Sequence, residues 1–428
     1  MTSAVVDKER LQCEFYLVKK KRQCGMTRRA GSRFCSEHSD DSDRVPCPLD
    51  PSHTVSVDKL RVHMRKCNKF RHDVSYQAKS RDIPWFQEGL NSIANGASAD
   101  AKPKDETVVA SIAIIERIFE QEFQDLPTLP LIEKKNELLE QTERYKTLIN
   151  KKHARQQSSL IEHLKEASLW PSNDKHMQFI ELGCGRAEFS RYVNIAVHLD
   201  QTQHESESES EEGPKEGTKN VPSFCLIDRA SQRLRFDNKF SADVDSEVTL
   251  RREKIDIKDL KLDAVLNPDA HEYAAISKHL CGVATDLSLR CLLNSEKCNK
   301  GLKGILIAMC CRHVCQSSEY VNRDYISDLL AKHGPDMTYT DFFQCLKKFC
   351  SYYTCGLRPD MDPNGGAEEH FTKLTHNERK RIGYMARRIV DEGRQRFLQS
   401  RGFKTVLFRY VDNSVTLEDT ALLALKDA

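Results

Sequence analysis

Between Gln178 and Ser190 the chain reads QFIELGCGRAEFS, and this stretch limits the possible folds more than any other. Phe179 to Leu182 is an apolar run of the length of a buried strand, Gly183-Cys184-Gly185 follows, and a helical pattern resumes at Ala187 with Phe189, Tyr192 and Val193 as its apolar positions. Strand, glycine turn and helix open a Rossmann-like α/β unit, in which glycines let the backbone approach a nucleotide. Two details disfavour a dinucleotide. Phe189 stands near where the third glycine of G-x-G-x-x-G falls. Glu181 sits just before the turn, where it would oppose a pyrophosphate at a helix N-terminus. A ligand with a sulfonium or amino group tolerates that carboxylate. The alternative is a purely structural glycine turn in another α/β domain.

A chain of 428 residues suggests about two or three domains. Its net charge of +2 excludes a global field of the kind that marks many nucleic-acid binders. The sequence opens without an apolar h-region and holds no apolar run long enough to span a membrane, so residence in the nucleus or cytoplasm and no membrane partner are expected. In such a reducing compartment, sixteen cysteines clustered with histidines point to metal rather than disulfides.

Two candidate metal sets lie near the start. Cys13, Cys24, Cys35 and His38 are spaced C-x10-C-x10-C-x2-H, and a Cys-x2-His pair can present two ligands to one zinc from a single turn. Residues 1–39 carry nine Lys/Arg against four Asp/Glu, including Lys19 to Arg22 between ligands, either a phosphate-contacting run or a solvated loop. Cys47, His53, His63 and Cys67 form the second set, C-x5-H-x9-H-x3-C. Asp58 to Lys66 reads as a short helix that places His63 and Cys67 on one side, and the turn-rich CPLDPSH segment would fold the other two ligands over the ion. Segments this small bury too little apolar surface to fold alone, so zinc would hold modules at 10–40 and 44–72, two ions in all.

Residues 91–106 are small and polar and read as a linker. Val108, Ile112, Ile115, Phe119 and Phe123 then mark an amphipathic helix, ended by Pro127 and Pro130. Ile132 to Leu169 is a further helical stretch, and the two make a helical segment over 107–170 that packs on the main domain rather than forming a coiled coil. Residues 203–219 are acidic low complexity that cannot pack, an insertion in the main fold.

Ser223 to Ile227 is the second expected strand and ends at Asp228, the place for an acid that hydrogen-bonds ribose hydroxyls; Asp200 competes for that role. Leu250 to Ile257 is the third, with Asp256 placed to meet an adenine amino group or to lie at the surface. Ala274 to Ser277 is a short strand with Lys278-His279-Leu280-Cys281-Gly282 at its carboxyl end, and Thr285 is expected to cap the next helix. Gly304 to Met309 is the fifth strand, followed by Cys310-Cys311-Arg312-His313-Val314-Cys315. The three cysteines of this run, with Cys281, read first as reduced thiols. A further metal would require a turn between Cys310 and Cys311, because adjacent residues leaving a strand point to opposite faces.

The E-x-G-x-G form at Glu181, Gly183 and Gly185 resembles motif I of class I S-adenosylmethionine (SAM) methyltransferases, and CPLDPSH…HMRKC resembles the CHHC zinc fingers of RNA-associated proteins. ELGCGRAEFS, LIDRAS, KHLCGVATDLSLRC and the CCRHVC stretch, with the tandem fingers in this order, closely resemble the eukaryotic tRNA:m(4)X modification family over residues 10–85 and 175–425. The resemblance implies a Rossmann-like class I methyltransferase domain over 175–425 behind CCCH and CHHC fingers. It also implies methyl transfer from SAM to the ribose 2'-hydroxyl of nucleotide 4 in the acceptor stem of certain tRNAs. Glu181, Gly183, Cys184, Gly185, Asp228 and Asp256 would hold the cofactor. Lys278, His279 and His313 are the candidates to assist loss of the hydroxyl proton. Family members often carry a second histidine where this chain has Arg312, which removes a proton-transfer role there. Two other readings stay open: an RNA-binding zinc-finger protein with an inactive methyltransferase fold, and a base methyltransferase, although the D/N-P-P-Y strand end of common amine methyltransferases is replaced here by KHLCG.

Overall fold

The structure is a computed structural model; it describes residues 11–17, 22–28, 30–35, 44–67, 70, 82–93, 102–172, 176–208, 221–230, 235–355 and 362–426, without the side chains of some of them, among them Leu17, Arg22, Arg44, the stretch 50–53 and 204–208. The chain divides into two compact units, Met1–Ile83 and Pro84–Ala428.

The first unit holds two small hairpins. Tyr16–Leu17 pairs antiparallel with Arg22–Gln23, and Arg44–Cys47 pairs with Asp50–Ser56. A 3-10 turn, Val57–Lys59, runs into a helix at Leu60–Lys66, so the helix expected from Asp58 starts two residues later. The apolar clusters here are three cysteines beside Phe34, and two cysteines with Val55, Leu49 and Leu60. With so little buried apolar surface, a metal is the natural source of folding energy.

The second unit is built on a seven-stranded sheet. Its strands are β1 (Met177–Leu182), β2 (Ser223–Asp228), β3 (Leu250–Lys254), β4 (Glu272–Cys281), β5 (Leu302–Cys310), β6 (Phe403–Arg409) and β7 (Thr420–Lys426). Their spatial order is β6-β7-β5-β4-β1-β2-β3, with β1 to β5 parallel and β7 antiparallel to both neighbours. The order reverses direction at β1, which makes the crevice outside the ends of β1 and β4 the topological switch point where ligands of open α/β sheets bind. Central strands buried on both faces explain the mostly apolar runs FIEL, SFCLI and GILIAM.

The expected helix at residues 108–123 is α1, Asp105–Glu122, with Val108, Ile115, Ile118 and Phe119 buried. The stretch from Ile132 to Leu169 is not one helix. It breaks into Glu137–Gln141, Glu143–Lys146 and α2, Lys152–Glu166. Thr142 causes the first break: its extended backbone ends one turn while its hydroxyl caps the next through Tyr145 N. Leu139, Tyr145, Leu160 and Leu164 enter the main core with Phe179, Tyr192 and Phe224, so the segment packs on the sheet. After β1 comes α3, Glu188–Ser208, whose last turns overlap the expected acidic insertion; residues 209–219 lie outside the described residues.

The longer helices that follow are α4 (Val283–Asn294), α5 (Arg323–His333), α6 (Tyr339–Cys355) and α7 (His376–Gln399), besides short ones at Phe240–Val244 and Glu296–Gly301. A second apolar cluster joins α1, α5, α6 and α7 through Ile115, Ile326, Phe342, Phe349, Ile382 and Ile389. A capping box of Thr375 and Glu378 starts α7. Thr285 is not the cap of α4. Gly282 holds that position at φ 53°, and Thr285 Oγ1 donates to Leu280 O at 3.0 Å. The polar stretch read as a linker contributes its first residues to the fold: buried Asn91 donates to Ile257 O and Leu260 O at 2.7 and 2.9 Å, and residues 94–101 lie outside the described residues.

Candidate active site

The glycine turn is held from three sides. Gly183 and Gly185 have φ of +70° and +50°, a region costly for residues with a Cβ. Cys184 N donates to Ile227 O at 3.0 Å and Gly185 N to Asp228 Oδ2 at 2.8 Å, so the end of β2 closes the turn. A Cβ on Gly183 would stand 2.8 Å from Leu280 Cδ1, while one on Gly185 would meet nothing within 4 Å. The turn therefore packs tightly against the end of β4 and leaves open space over Gly185.

Asp228 Oδ1 also accepts from Ala230 N at 2.7 Å. A carboxylate has about four lone-pair sites, so both oxygens keep capacity for hydroxyl donors. Asp200 is engaged elsewhere, by Lys165 Nζ at 3.0 Å and Trp170 Nε1 at 2.9 Å, and does not compete for the position at the end of β2. Cys184 turns its buried thiol to Arg252, whose Nη1 donates to Cys184 Sγ at 2.9 Å and Gly185 O at 3.0 Å. The backbone of Cys184, not its sulfur, shapes the turn. Asp256 lies beyond β3 and accepts from Lys258 N at 3.1 Å at the start of a 3-10 turn.

Glu181 is buried at the end of β1 and accepts from Ser190 N at 3.2 Å and Ser190 Oγ at 2.5 Å in the first turn of α3. Burial pushes its carboxyl up from 4.5 to about 7, partly offset by the Ser190 bonds.

At the end of β4 the pairing with β5 shifts register between Lys278 and Leu280, and His279 takes φ +68°. This bulge leaves Lys278 buried and His279 exposed. Desolvation brings Lys278 down from 10.5 to about 8, against the pull of Glu188 and Glu181. Lys278 Nζ lies 3.3 Å from His153 Nδ1, and the His153 and His279 rings stand edge to face with centroids 6.0 Å apart. Desolvation first, then Lys278, holds His279 below its ordinary range. His153 belongs to α2, and no sequence pattern links it to a strand end 125 residues away.

His313 sits in the 3-10 turn after β5, and its Nδ1 is buried without a hydrogen-bond partner among the described residues. Arg312 points inward. It is 1% exposed and pairs with Asp391 at 2.6 Å and Glu418 at 2.8 Å. Arg394 pairs with Asp286 at 2.7 Å and donates to Gly282 O at 3.1 Å. These buried pairs fix the turns after β4 and β5.

In the first unit Cys13, Cys24 and Cys35 are buried with their sulfurs within 4.8 Å of one another. Cys47 and Cys67 sulfurs are 3.9 Å apart, and His63 Nε2 is 3.3 Å from Cys47 Sγ. A tetrahedral zinc with bonds of about 2.3 Å sets its sulfurs about 3.8 Å apart, so both sets fit that ion. His38 and the side chain of His53, the expected fourth ligands, lie outside the described residues.

A profile of the family described as "Methyltransferase TRM13" matches residues 155–425 of this chain. The chain belongs to the TRM13 methyltransferase family. Two finger families match as well: "CCCH zinc finger in TRM13 protein" over residues 11–39, and "U11-48K-like CHHC zinc finger" over 44–68. The "tRNA:m(4)X modification enzyme TRM13" of Kluyveromyces lactis is 73% identical over 424 residues, 98% of this chain and 96% of that protein. The TRM13 enzymes of Saccharomyces cerevisiae and Schizosaccharomyces pombe are 40% and 31% identical, over 98% and 90% of this chain and 96% and 95% of theirs. Among solved structures, a SAM-dependent methyltransferase from Anabaena variabilis is 11% identical with a TM-score of 0.25, covering 77% of this chain and 98% of that one. No helix among the described residues is long and apolar enough to cross a membrane.

Proposed function

We propose that this TRM13 family member transfers a methyl group from SAM to the ribose 2'-hydroxyl of nucleotide 4 in the acceptor stem of certain tRNAs. The observation that carries this reading is Lys278, buried at the carboxyl end of β4 with its Nζ 3.3 Å from His153 Nδ1, beside a glycine turn closed by Asp228. The name borne by the relatives and the matching fingers support tRNA as substrate.

The residues present fit SAM. Open space over Gly185 admits the nucleoside, Asp228 has acceptor capacity for ribose hydroxyls, and Glu181, Gly183 and the Cys184 backbone line the turn on the methionine side. Asp256 is spent partly on its own turn and offers a weaker contact to adenine. When bound, SAM supplies an electrophilic methyl on a sulfonium.

The chain's task is then to place a hydroxyl oxygen in line and remove its proton. Lys278 is suited to accept that proton, because its amine titrates near 8 instead of above 10. His153 Nδ1, 3.3 Å from Lys278 Nζ, is close enough to hold the amine in place. His279, exposed on the bulge, and His313, on the next turn, are placed to touch RNA rather than to abstract the proton. Two zinc ions, one held by Cys13, Cys24, Cys35 and His38 and one by Cys47, His53, His63 and Cys67, would fold the modules that grip the RNA.

The test is methylation of unmodified tRNA by the full chain with labelled SAM, followed by nucleotide mapping. A 2'-O-methyl mark at nucleotide 4 that disappears in Lys278→Ala, with SAM binding retained, supports the reading. A methylated base would assign base chemistry, and SAM binding without transfer to any tRNA would assign an inactive fold.

A further inference from the structure

The ends of β4 and β5 bring a third set of thiols together. Cys281 and Cys310 are register partners on neighbouring parallel strands, so their side chains leave the sheet on the same face. Their sulfurs are 3.0 Å apart, so they must part by about 0.8 Å to reach the ~3.8 Å spacing that a tetrahedral zinc sets. Cys311 would ordinarily point to the opposite face. It instead takes φ 47°, ψ 48°, a left-handed conformation that costs a non-glycine residue roughly 1–2 kcal/mol. That twist turns its sulfur back, and Cys281, Cys310 and Cys311 come to lie with all three sulfurs within 4.8 Å.

The surroundings hold this turn in place. Glu418 accepts from Cys311 N at 2.9 Å and is itself fixed by Arg312 and Arg387, each at 2.8 Å. Arg312 Nη1 donates to Met309 O at 2.9 Å, one residue before the cluster. The neighbouring turn is equally constrained: a Cβ on Gly282 would stand 2.6 Å from the Val314 carbonyl carbon. A strained backbone locked by buried ion pairs is an expensive way to seat three inert thiols. It is the usual way to seat ligands, where second-shell contacts orient the first shell. Cys281 is exposed and Cys311 half-exposed, so an ion can enter from solvent.

We propose that Cys281, Cys310 and Cys311 bind a third zinc ion, which ties the ends of β4 and β5 together at the carboxyl edge of the sheet. Three thiolates form a soft donor set that selects zinc over the hard cations magnesium and calcium. The three protein ligands leave one position of a tetrahedron for water or another donor. This site is separate from both finger sets and does not depend on the methyl-transfer reading.

Metal analysis of the purified full chain decides it. About three zinc ions per chain are expected, falling by about one in Cys281→Ser and, independently, in Cys311→Ser, while Cys47→Ser removes a different one. Cadmium-113 substitution should add a resonance of a three-sulfur site that vanishes in Cys281→Ser and survives in Cys47→Ser. Cys281 is exposed, so its serine variant keeps the core, and unchanged circular dichroism checks this. About two zinc ions per chain, unaltered by Cys281→Ser, would overturn the proposal. So would an intact mass lighter by two hydrogens with a peptide linking Cys281 to Cys310, since a disulfide removes two ligands.

Discussion

Glu181→Gln is expected to make the protein more stable at mildly alkaline pH while weakening its hold on SAM. Burial raises the Glu181 carboxyl from 4.5 to about 7. At ~1.4 kcal/mol for each tenfold change in proton affinity, that is about 3 kcal/mol between the two protonation states. The sign follows from where the proton sits. Between about pH 4.5 and 7 the folded chain keeps a proton that the unfolded chain has released. The stability contributed by protonated Glu181 is therefore complete below 4.5 and lost as pH rises through 7. Glutamine cannot ionise and lacks this slope. Its amide oxygen can still accept from Ser190 N and Oγ, and its NH2 group costs roughly 1–2 kcal/mol if it finds no acceptor. Between about pH 5 and pH 8.5 the variant should gain roughly 2–3 kcal/mol on the wild type. Urea unfolding of both proteins at the two pH values, followed by circular dichroism, reads the difference directly. A wild-type-to-variant difference that stays constant with pH would refute the buried-carboxyl argument. Calorimetric SAM titration at pH 8 checks the second half: equal affinity would remove Glu181 from the cofactor site.

Lys278→Arg should abolish transfer while retaining SAM binding, because a guanidinium stays protonated. The wild-type single-turnover rate should rise with pH up to about 8, the value set by Lys278 burial, and then level off; a rate flat from pH 6 to 9 would count against this base. His153→Ala should lower the rate and move that inflection without changing SAM affinity, and His153→Asn should restore part of it if the acceptor at 3.3 Å is what matters. Asp286→Ala leaves the fully buried Arg394 without its 2.7 Å partner and should cost roughly 3–5 kcal/mol in unfolding experiments. Cys47→Ser should remove about one zinc and weaken tRNA binding with little change in SAM binding; unchanged tRNA affinity would give the CHHC finger another task.

Local chemistry alone marks much of this protein. A buried strand needs an unbroken apolar run, and two glycines need positive φ, so β1, its turn and α3 were readable as they stand. The position of Asp228 at a strand end was readable too, and so were the spacings that bring Cys47, His63 and Cys67 together over short distances. Alternatives that depend on partners far along the chain were not readable. Asp200 and Asp228 look alike in sequence, and only the packing of Lys165 and Trp170 against Asp200 separates them. The helical stretch before the sheet hid its breaks because Thr142 and Asn136 cap through backbone contacts that a periodicity of apolar residues does not encode. His153 reaches Lys278, and Arg312 reaches Asp391 and Glu418, across separations that only the folded chain closes. The left-handed Cys311 is the clearest case. Strand alternation places its sulfur on the opposite face, and the Cys311 N–H bond to the Glu418 carboxylate, itself held by Arg312 and Arg387, turns it back. Sequence specifies what each residue can donate or bury within its own turn or strand; which distant groups meet, and at what backbone strain, is set by how the layers close on one another.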